Sequence, residues 1–207
     1  MLISDKSRFI FIHVPKTAGT SVLTALTPFT SSKWSLFVER LFRKAGIQTL
    51  NVKSYHTHIR AKELLEKIGA ENFKSYFSFA FIRNPWDMQA SLYAYIIKSP
   101  VHRLHEFVKG LGSFDSYLEW RCSDGLYLQK DFVYSDNGEL LINFLGRYEN
   151  LDADFKLICD QIGITAELPV LNVSKSKPYQ EYYTKESIEL VRRAFFQDIE
   201  LFKYEFE

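Results

Sequence analysis

Residues 9–26 read FIFIHVPKTAGTSVLTAL, and this stretch decides the fold of the chain. The apolar run that begins at Phe9 is typical of a strand and stops at Pro15, and residues 22–26 have the composition of a helix. A strand, a tight loop and a helix N-terminus turn backbone N–H groups toward an anion. Lys16 adds a positive charge at this point. Hydroxyl donors follow at Thr17, Thr20 and Ser21. The stretch therefore predicts a pocket for a phosphate-like group.

A second stretch, residues 76–96, joins another apolar strand to a helix with a defined start. Residues 76–82 are apolar and aromatic, which favours a buried parallel strand. Asn84 is a preferred N-cap, and the proline after it suits the first helical turn. We therefore expect Arg83 to end the strand and Ser91 to lie about two turns into the helix. Both side chains could then reach one anion in the crevice beyond the strand ends, and the guanidinium fork suits phosphate.

The rest of the chain alternates strand patterns with helix patterns. Strands are predicted over 8–14, 76–82 and 142–148, and helices over 19–28, 60–69, 85–98, 114–122, 151–162 and 184–203. Residues 99–112 read as irregular, the turn at 136–138 suggests a hairpin, and 31–50 is read either as a core helix or as a lid. We expect an α/β fold of the P-loop-NTPase type, a three-layer arrangement of a central, mostly parallel sheet flanked by helices, in one domain over residues 1–207.

Composition narrows the class of protein. The chain has 207 residues, 46% of them hydrophobic, and a net charge of +1, which gives no general reason to expect a nucleic-acid partner. No apolar run reaches the roughly 18 residues that span a bilayer, and the N-terminus lacks a signal peptide's apolar segment. The two cysteines have no metal-binding spacing and favour a reducing compartment. We therefore expect a cytoplasmic protein without a membrane span, and no acidic cluster suggests a metal.

The loop differs from the familiar nucleotide-binding loop. That loop reads G-x-x-x-x-G-K-[ST], whereas here the lysine precedes a single glycine. The second strand ends in Arg83, where a magnesium-dependent NTPase would need an aspartate. A P-loop kinase or NTPase is thus disfavoured, and a non-catalytic nucleotide-binding protein of the same fold is the other alternative.

The string Pro15-Lys16-Thr17-Ala18-Gly19-Thr20-Ser21 resembles the 5′-phosphosulfate loop of sulfotransferases. It is most similar to the carbohydrate-type (family 2) branch and its small bacterial-type members, whose donor is 3′-phosphoadenosine 5′-phosphosulfate (PAPS). Arg83 and Ser91 match the family's 3′-phosphate motif. The resemblance implies transfer of a sulfuryl group from PAPS to an acceptor hydroxyl, expected on a glycan, with Lys16 stabilising the leaving phosphate and 3′,5′-diphosphoadenosine (PAP) as product. It also suggests that Tyr148 contacts the adenine nucleotide, although a strand-end residue packed on the core fits that position equally well.

Five histidines are candidates for the general base that deprotonates the acceptor. Histidine suits this role because its pKa lies near neutrality. The resemblance places a histidine just ahead of the helix before the Arg-Asn-Pro strand, and His58 matches best, with His56 in reserve. His13 ends the first strand and is expected to orient the loop. His102 and His105 read as solvated surface. Spacing alone does not decide among them.

Overall fold

The computed structural model describes residues 1–30, 55–169, 171 and 177–207. The segment 31–50, read as a helix or a lid, lies outside the described residues. The contacts group the chain into two compact units: Met1–Ile82 with Asp131–Leu171, and Arg83–Lys130 with Asn172–Glu207. The single domain over residues 1–207 stays a prediction.

A four-stranded sheet is the centre of the first unit. Its strands lie in the order β1 (Leu2–Ser4), β2 (Phe9–Ile12), β3 (Phe77–Ile82) and β4 (Phe144–Arg147). β2, β3 and β4 run parallel, while β1 pairs antiparallel with β2 at the edge. The predicted mostly parallel sheet is confirmed. The edge strand β1 was not predicted, because three residues are too few to show a periodic pattern.

Helices alternate with these strands and make up most of the second unit. They are α1 (Gly19–Leu26), α2 (Ala61–Ile68), α3 (Ala70–Lys74), α4 (Pro85–Lys98), α5 (His105–Gly110), α6 (Phe114–Ser123), α7 (Lys130–Val133), α8 (Leu151–Ile162), α9 (Lys185–Ala194) and α10 (Phe196–Phe202). The central sheet flanked by helices confirms the predicted α/β fold class.

The core of the first unit lies on one face of the sheet. Aromatic rings from β2 and β3 pack there, and the rings of Phe11 and Phe79 stack with centroids 5.3 Å apart. Val22 of α1 and Phe155 of α8 cover them. Each fully buried Phe contributes about 1.5–3 kcal/mol to folding. Ile10 on the opposite face is also buried, so β2 is covered on both sides, which explains its unbroken apolar run.

The second unit confirms one predicted helix and divides another. The side chain of Asn84 accepts a hydrogen bond from the Trp86 N–H at 3.0 Å, so α4 begins at Pro85 as predicted. The single helix predicted over 184–203 is wrong, because the backbone leaves helical geometry at Phe195, between α9 and α10. Phe195 is wholly buried, and tertiary packing overrides helical propensity there.

Three other local predictions needed correction. Residues 99–112 are not irregular throughout, because α5 lies within them. The expectation that His105 is solvated surface is wrong, because its side chain is buried with Nδ1 2.9 Å from the Ile96 carbonyl oxygen. The turn at 136–138 is confirmed by an antiparallel bridge between Tyr134 and Leu140, but the residues before it form α7 instead of a strand. The helices α5 and α7 have only six and four residues, which is too short for a periodic sequence pattern to indicate them.

Gly146 allows β4 to approach β3 closely, and Gly146→Ala should destabilise the protein. A Cβ there would lie 2.6 Å from the Phe81 ring, so about 1–3 kcal/mol should be lost through overpacking. Gly110→Ala is the matched control, because it meets nothing within 4 Å and should gain up to about 1 kcal/mol. Urea unfolding midpoints measure both changes. Equal midpoints for the two variants would contradict the assigned contact.

Candidate functional site

The loop of residues 13–18, here called the lysine loop, joins β2 to α1 in an unusual backbone conformation. Lys16 has a φ of 67° and Ala18 a φ of 62°, although neither residue is glycine. Each left-handed residue costs roughly 1–2 kcal/mol, so the surrounding structure must hold them. The buried Thr17 hydroxyl donates to the Val14 carbonyl oxygen at 2.9 Å and closes the loop. Left-handed residues at alternate positions, here Lys16 and Ala18, turn successive N–H groups toward one concave side, as in backbone anion nests.

Helix α1 starts directly after this loop. Its N-cap residue, Ala18, makes no side-chain capping bond, so the N-cap supplies no acceptor for the first-turn N–H groups. Thr20 is exposed and Ser21 is buried within that same turn. Half-buried Lys16 adds its charge just before the helix. The positive end of the helix dipole, the N–H groups and the amine together suit an anion.

Gly19 packs against the imidazole of His13. A Cβ at Gly19 would lie 1.8 Å from His13 Nε2, so no larger residue fits while that ring is in place. Burial, with a further contribution from His58, lowers the pKa of His13 to about 3. His13 is therefore neutral at ordinary pH and fills the space beneath the start of α1. This position agrees with its expected role in orienting the loop.

The geometry of His58 determines which of its ring nitrogens carries the proton. His58 Nδ1 lies 2.9 Å from the backbone carbonyl oxygen of His13, and the two rings are 4.4 Å apart between centroids. A carbonyl oxygen only accepts, so Nδ1 carries the hydrogen and Nε2 keeps its lone pair. Burial lowers the pKa of His58 below its usual 6.5, opposed in part by this hydrogen bond. The half-buried ring is thus a neutral base.

His56 has the opposite arrangement. The backbone N–H of His58 donates to His56 Nδ1 at 3.2 Å, so Nδ1 accepts and the neutral ring carries its hydrogen on Nε2. The His56 side chain is also exposed. The two candidate bases therefore differ in tautomer, with the ring lone pair on Nε2 in His58 and on Nδ1 in His56.

Tyr148 follows β4 and begins a short 3₁₀ helix, Tyr148–Asn150. Because β4 and β2 run in the same direction, Tyr148 and the lysine loop lie at the same edge of the sheet. Open α/β sheets bind their ligands at this edge. The half-buried ring is compatible with a nucleotide contact and with core packing alike.

The second unit contains Arg83 and Ser91. Both are buried, and Arg83 Nε donates to Asp87 Oδ2 at 2.7 Å in a buried ion pair. Residues 83, 87 and 91 are spaced by four, so Asp87 and Ser91 lie on one face of α4. That Lys16 and Arg83 bind the same nucleotide stays a prediction, since the two residues belong to different units.

The sequence analysis did not include the partners of Arg83. Asp87 lies four residues after Arg83, and this spacing is a usable sequence signal for an ion pair. Gln129 is hydrogen-bonded to the backbone of Arg83, and Asp198 is hydrogen-bonded to the backbone of Gln129. No local sequence pattern indicates either contact. Among the described residues, no group of His, Cys, Asp and Glu could hold a metal ion. No described helix is long and apolar enough to cross a membrane.

Comparison with known proteins identifies the protein family to which the chain belongs. Residues 1–107 match the model of the Sulfotransferase family. An uncharacterized protein of Archaeoglobus fulgidus is 29% identical over 119 residues, which are 56% of this chain and 92% of that protein. The crystal structure of mouse sulfotransferase SULT7A1 complexed with PAP is similar in fold, with a TM-score of 0.54 and 13% identity over 96% of this chain and 86% of that one. The family match covers just over half of the residues, and the chain belongs to the sulfotransferase family.

Proposed function

We propose that this sulfotransferase moves the sulfuryl group of PAPS to an acceptor hydroxyl, with the lysine loop and His58 as its reaction centre. The observation that carries the proposal is the His58 hydrogen bond to the His13 carbonyl, at 2.9 Å. It joins a neutral base to the same loop that would hold the donor. The similar mouse sulfotransferase is complexed with PAP, which is what remains of PAPS after the sulfuryl group has left.

Each candidate residue then has a role in an in-line transfer. His58 Nε2 takes the proton of the acceptor hydroxyl, whose oxygen forms a bond to sulfur as the bond from sulfur to the bridging phosphate oxygen breaks. Lys16 offsets the negative charge that grows on the departing phosphate. Thr20, Ser21 and the first-turn N–H groups of α1 hold the 5′-phosphate.

The other candidate residues shape the site or bind the rest of the donor. Pro15, Thr17, Ala18 and Gly19 determine the path of the lysine loop. Arg83 and Ser91 would bind the 3′-phosphate, for which a guanidinium fork is well suited, and Tyr148 would contact the adenine. Apart from the proton transfer to His58, the proposed mechanism uses only positioning and charge stabilisation by these groups.

The acceptor is proposed to be a glycan hydroxyl. This finer assignment is supported by the likeness of residues 15–21 to the carbohydrate-type branch. A transfer assay with ³⁵S-labelled PAPS and a panel of glycans and small phenols tests it, and magnesium-dependent ATP hydrolysis in the same preparation would favour the kinase or NTPase alternative. Donor binding without transfer to any acceptor would favour the non-catalytic alternative. A cytoplasmic location is a further proposal from the cysteine content.

Lys16→Ala should reduce kcat about a hundredfold or more, because it removes the charge that stabilises the leaving phosphate. The measurement is initial-rate transfer from labelled PAPS. Lys6→Ala is the control, since Lys6 is an exposed lysine elsewhere in the first unit. A Lys16→Ala rate near that of Lys6→Ala would rule out the assigned role.

His58→Ala should lower kcat by about 10²–10⁴-fold with little change in affinity for PAP, whereas His56→Ala should retain most activity. The acid limb of the pH–rate profile should lie below pH 6.5, because the lowered pKa keeps His58 unprotonated down to that range. The opposite ranking of the two alanine variants would transfer the role of base to His56.

Arg83→Ala should weaken PAP binding by roughly 2–5 kcal/mol, because a desolvated phosphate loses its charged partner. Calorimetric titration measures the affinity, and Arg103→Ala is an exposed arginine control from the same unit. Thermal unfolding is followed in parallel, since the variant also removes a buried ion pair with Asp87. Unchanged affinity in a folded variant would contradict the 3′-phosphate assignment.

A further inference from the structure

The backbone of Arg83 is held by a side-chain amide. Arg83 follows the last residue of β3, and its N–H donates to Gln129 Oε1 at 2.9 Å. Gln129 Nε2 in turn donates to the Arg83 carbonyl oxygen at 2.7 Å. One glutamine thus satisfies both backbone polar groups of the arginine, as a neighbouring strand would. Gln129 has no exposed surface, so water does not compete for either bond.

Gln129 is itself fixed by a buried carboxylate. Asp198 of α10 has no exposed surface; its Oδ2 accepts from the Gln129 N–H at 2.7 Å and its Oδ1 from the Lys130 N–H at 3.0 Å. A buried carboxylate is costly unless it is hydrogen-bonded in this way. Its two oxygens both hold the backbone that carries Gln129. A continuous series of buried bonds therefore runs from Asp198 through Gln129 to Arg83.

The guanidinium of Arg83 has its own anchor. Its Nε donates to Asp87 Oδ2 at 2.7 Å. The adjacent Asn84 donates from Nδ2 to the Glu205 carbonyl oxygen at 2.8 Å, so the residue after Arg83 is held as well. An arginine side chain has large rotamer entropy, and immobilisation in the folded protein removes that entropy cost from ligand binding. Arg83 is thus arranged before a ligand arrives.

These contacts indicate more than packing. Apolar residues of similar volume fill a core without the desolvation cost of an amide and a carboxylate, so the buried polar pair needs another explanation. We propose that Gln129 and Asp198 are positioning residues that set Arg83 for the 3′-phosphate of the donor. This inference rests on the proposed function, and it adds a determinant of donor selectivity that lies outside the two phosphate motifs.

The test separates the 3′-phosphate from the rest of the nucleotide. Calorimetric titration with PAP and with adenosine 5′-monophosphate yields two dissociation constants, whose ratio measures the contribution of the 3′-phosphate. Gln129→Met keeps a side chain of similar length but removes both hydrogen bonds to the Arg83 backbone. Asp198→Asn replaces one of the two carboxylate oxygens that accept backbone hydrogen bonds with an NH₂ group, which cannot accept. Both variants should weaken PAP binding at least tenfold and change binding of the monophosphate less than twofold. Gln161→Met and Glu200→Gln, at exposed positions, should leave both constants unchanged.

The outcomes distinguish this inference from the proposed function. A wild-type protein with equal affinity for the two nucleotides would overturn both, since there would be no 3′-phosphate selectivity to explain. In a second outcome, Arg83→Ala abolishes the wild-type ratio of the two dissociation constants, while Gln129→Met and Asp198→Asn retain it. That outcome would overturn the positioning role alone. Proportional loss of both nucleotides would do the same, because it indicates a general structural effect. Gln129→Asn, one methylene shorter, replaces Gln129→Met if that variant does not fold, with the same expected loss.

Discussion

The close approach of Gly19 to the imidazole of His13 is the constraint on which the geometry of the lysine loop depends. The ring occupies the space in which any other residue would place its Cβ, 1.8 Å from Nε2. Helix α1 begins at Gly19, and the loop before it passes through two left-handed residues, Lys16 and Ala18. The strain of that turn is maintained by the packed ring and by the Thr17 hydroxyl bond to Val14.

In each unit, hydrogen bonds that involve backbone groups hold candidate residues in place. The His13 carbonyl selects the tautomer of His58, and the His58 N–H selects the opposite tautomer of His56. In the second unit, the Gln129 amide holds the backbone of Arg83. Backbone positions move little once a fold has formed, so groups held in this way need little rearrangement when a ligand binds. The common feature of the two units is preorganisation by main-chain hydrogen bonds.

The sequence predicted elements whose signals are local. The bounds of α4 follow from the Asn84 cap and the proline after it, and β2 and β3 follow from short apolar runs that end in polar residues. The two motifs also indicate Lys16 and Arg83 as candidates from the sequence alone. The short edge strand β1 and the break at Phe195 could not be predicted in this way, because pairing and burial with distant residues determine them.

The sequence by itself determined the fold class, the lysine loop and the candidate residues, because strand, cap and loop preferences act between neighbours along the chain. Tertiary structure alone decided the tautomer of His58, with the hydrogen on Nδ1 and the lone pair on Nε2, since that depends on a carbonyl 45 residues earlier. It alone decided that Asp198 and Gln129 support Arg83, across 69 and 46 residues. Hydrogen bonds at such separations have no periodic trace in the sequence and exist only once the chain has folded.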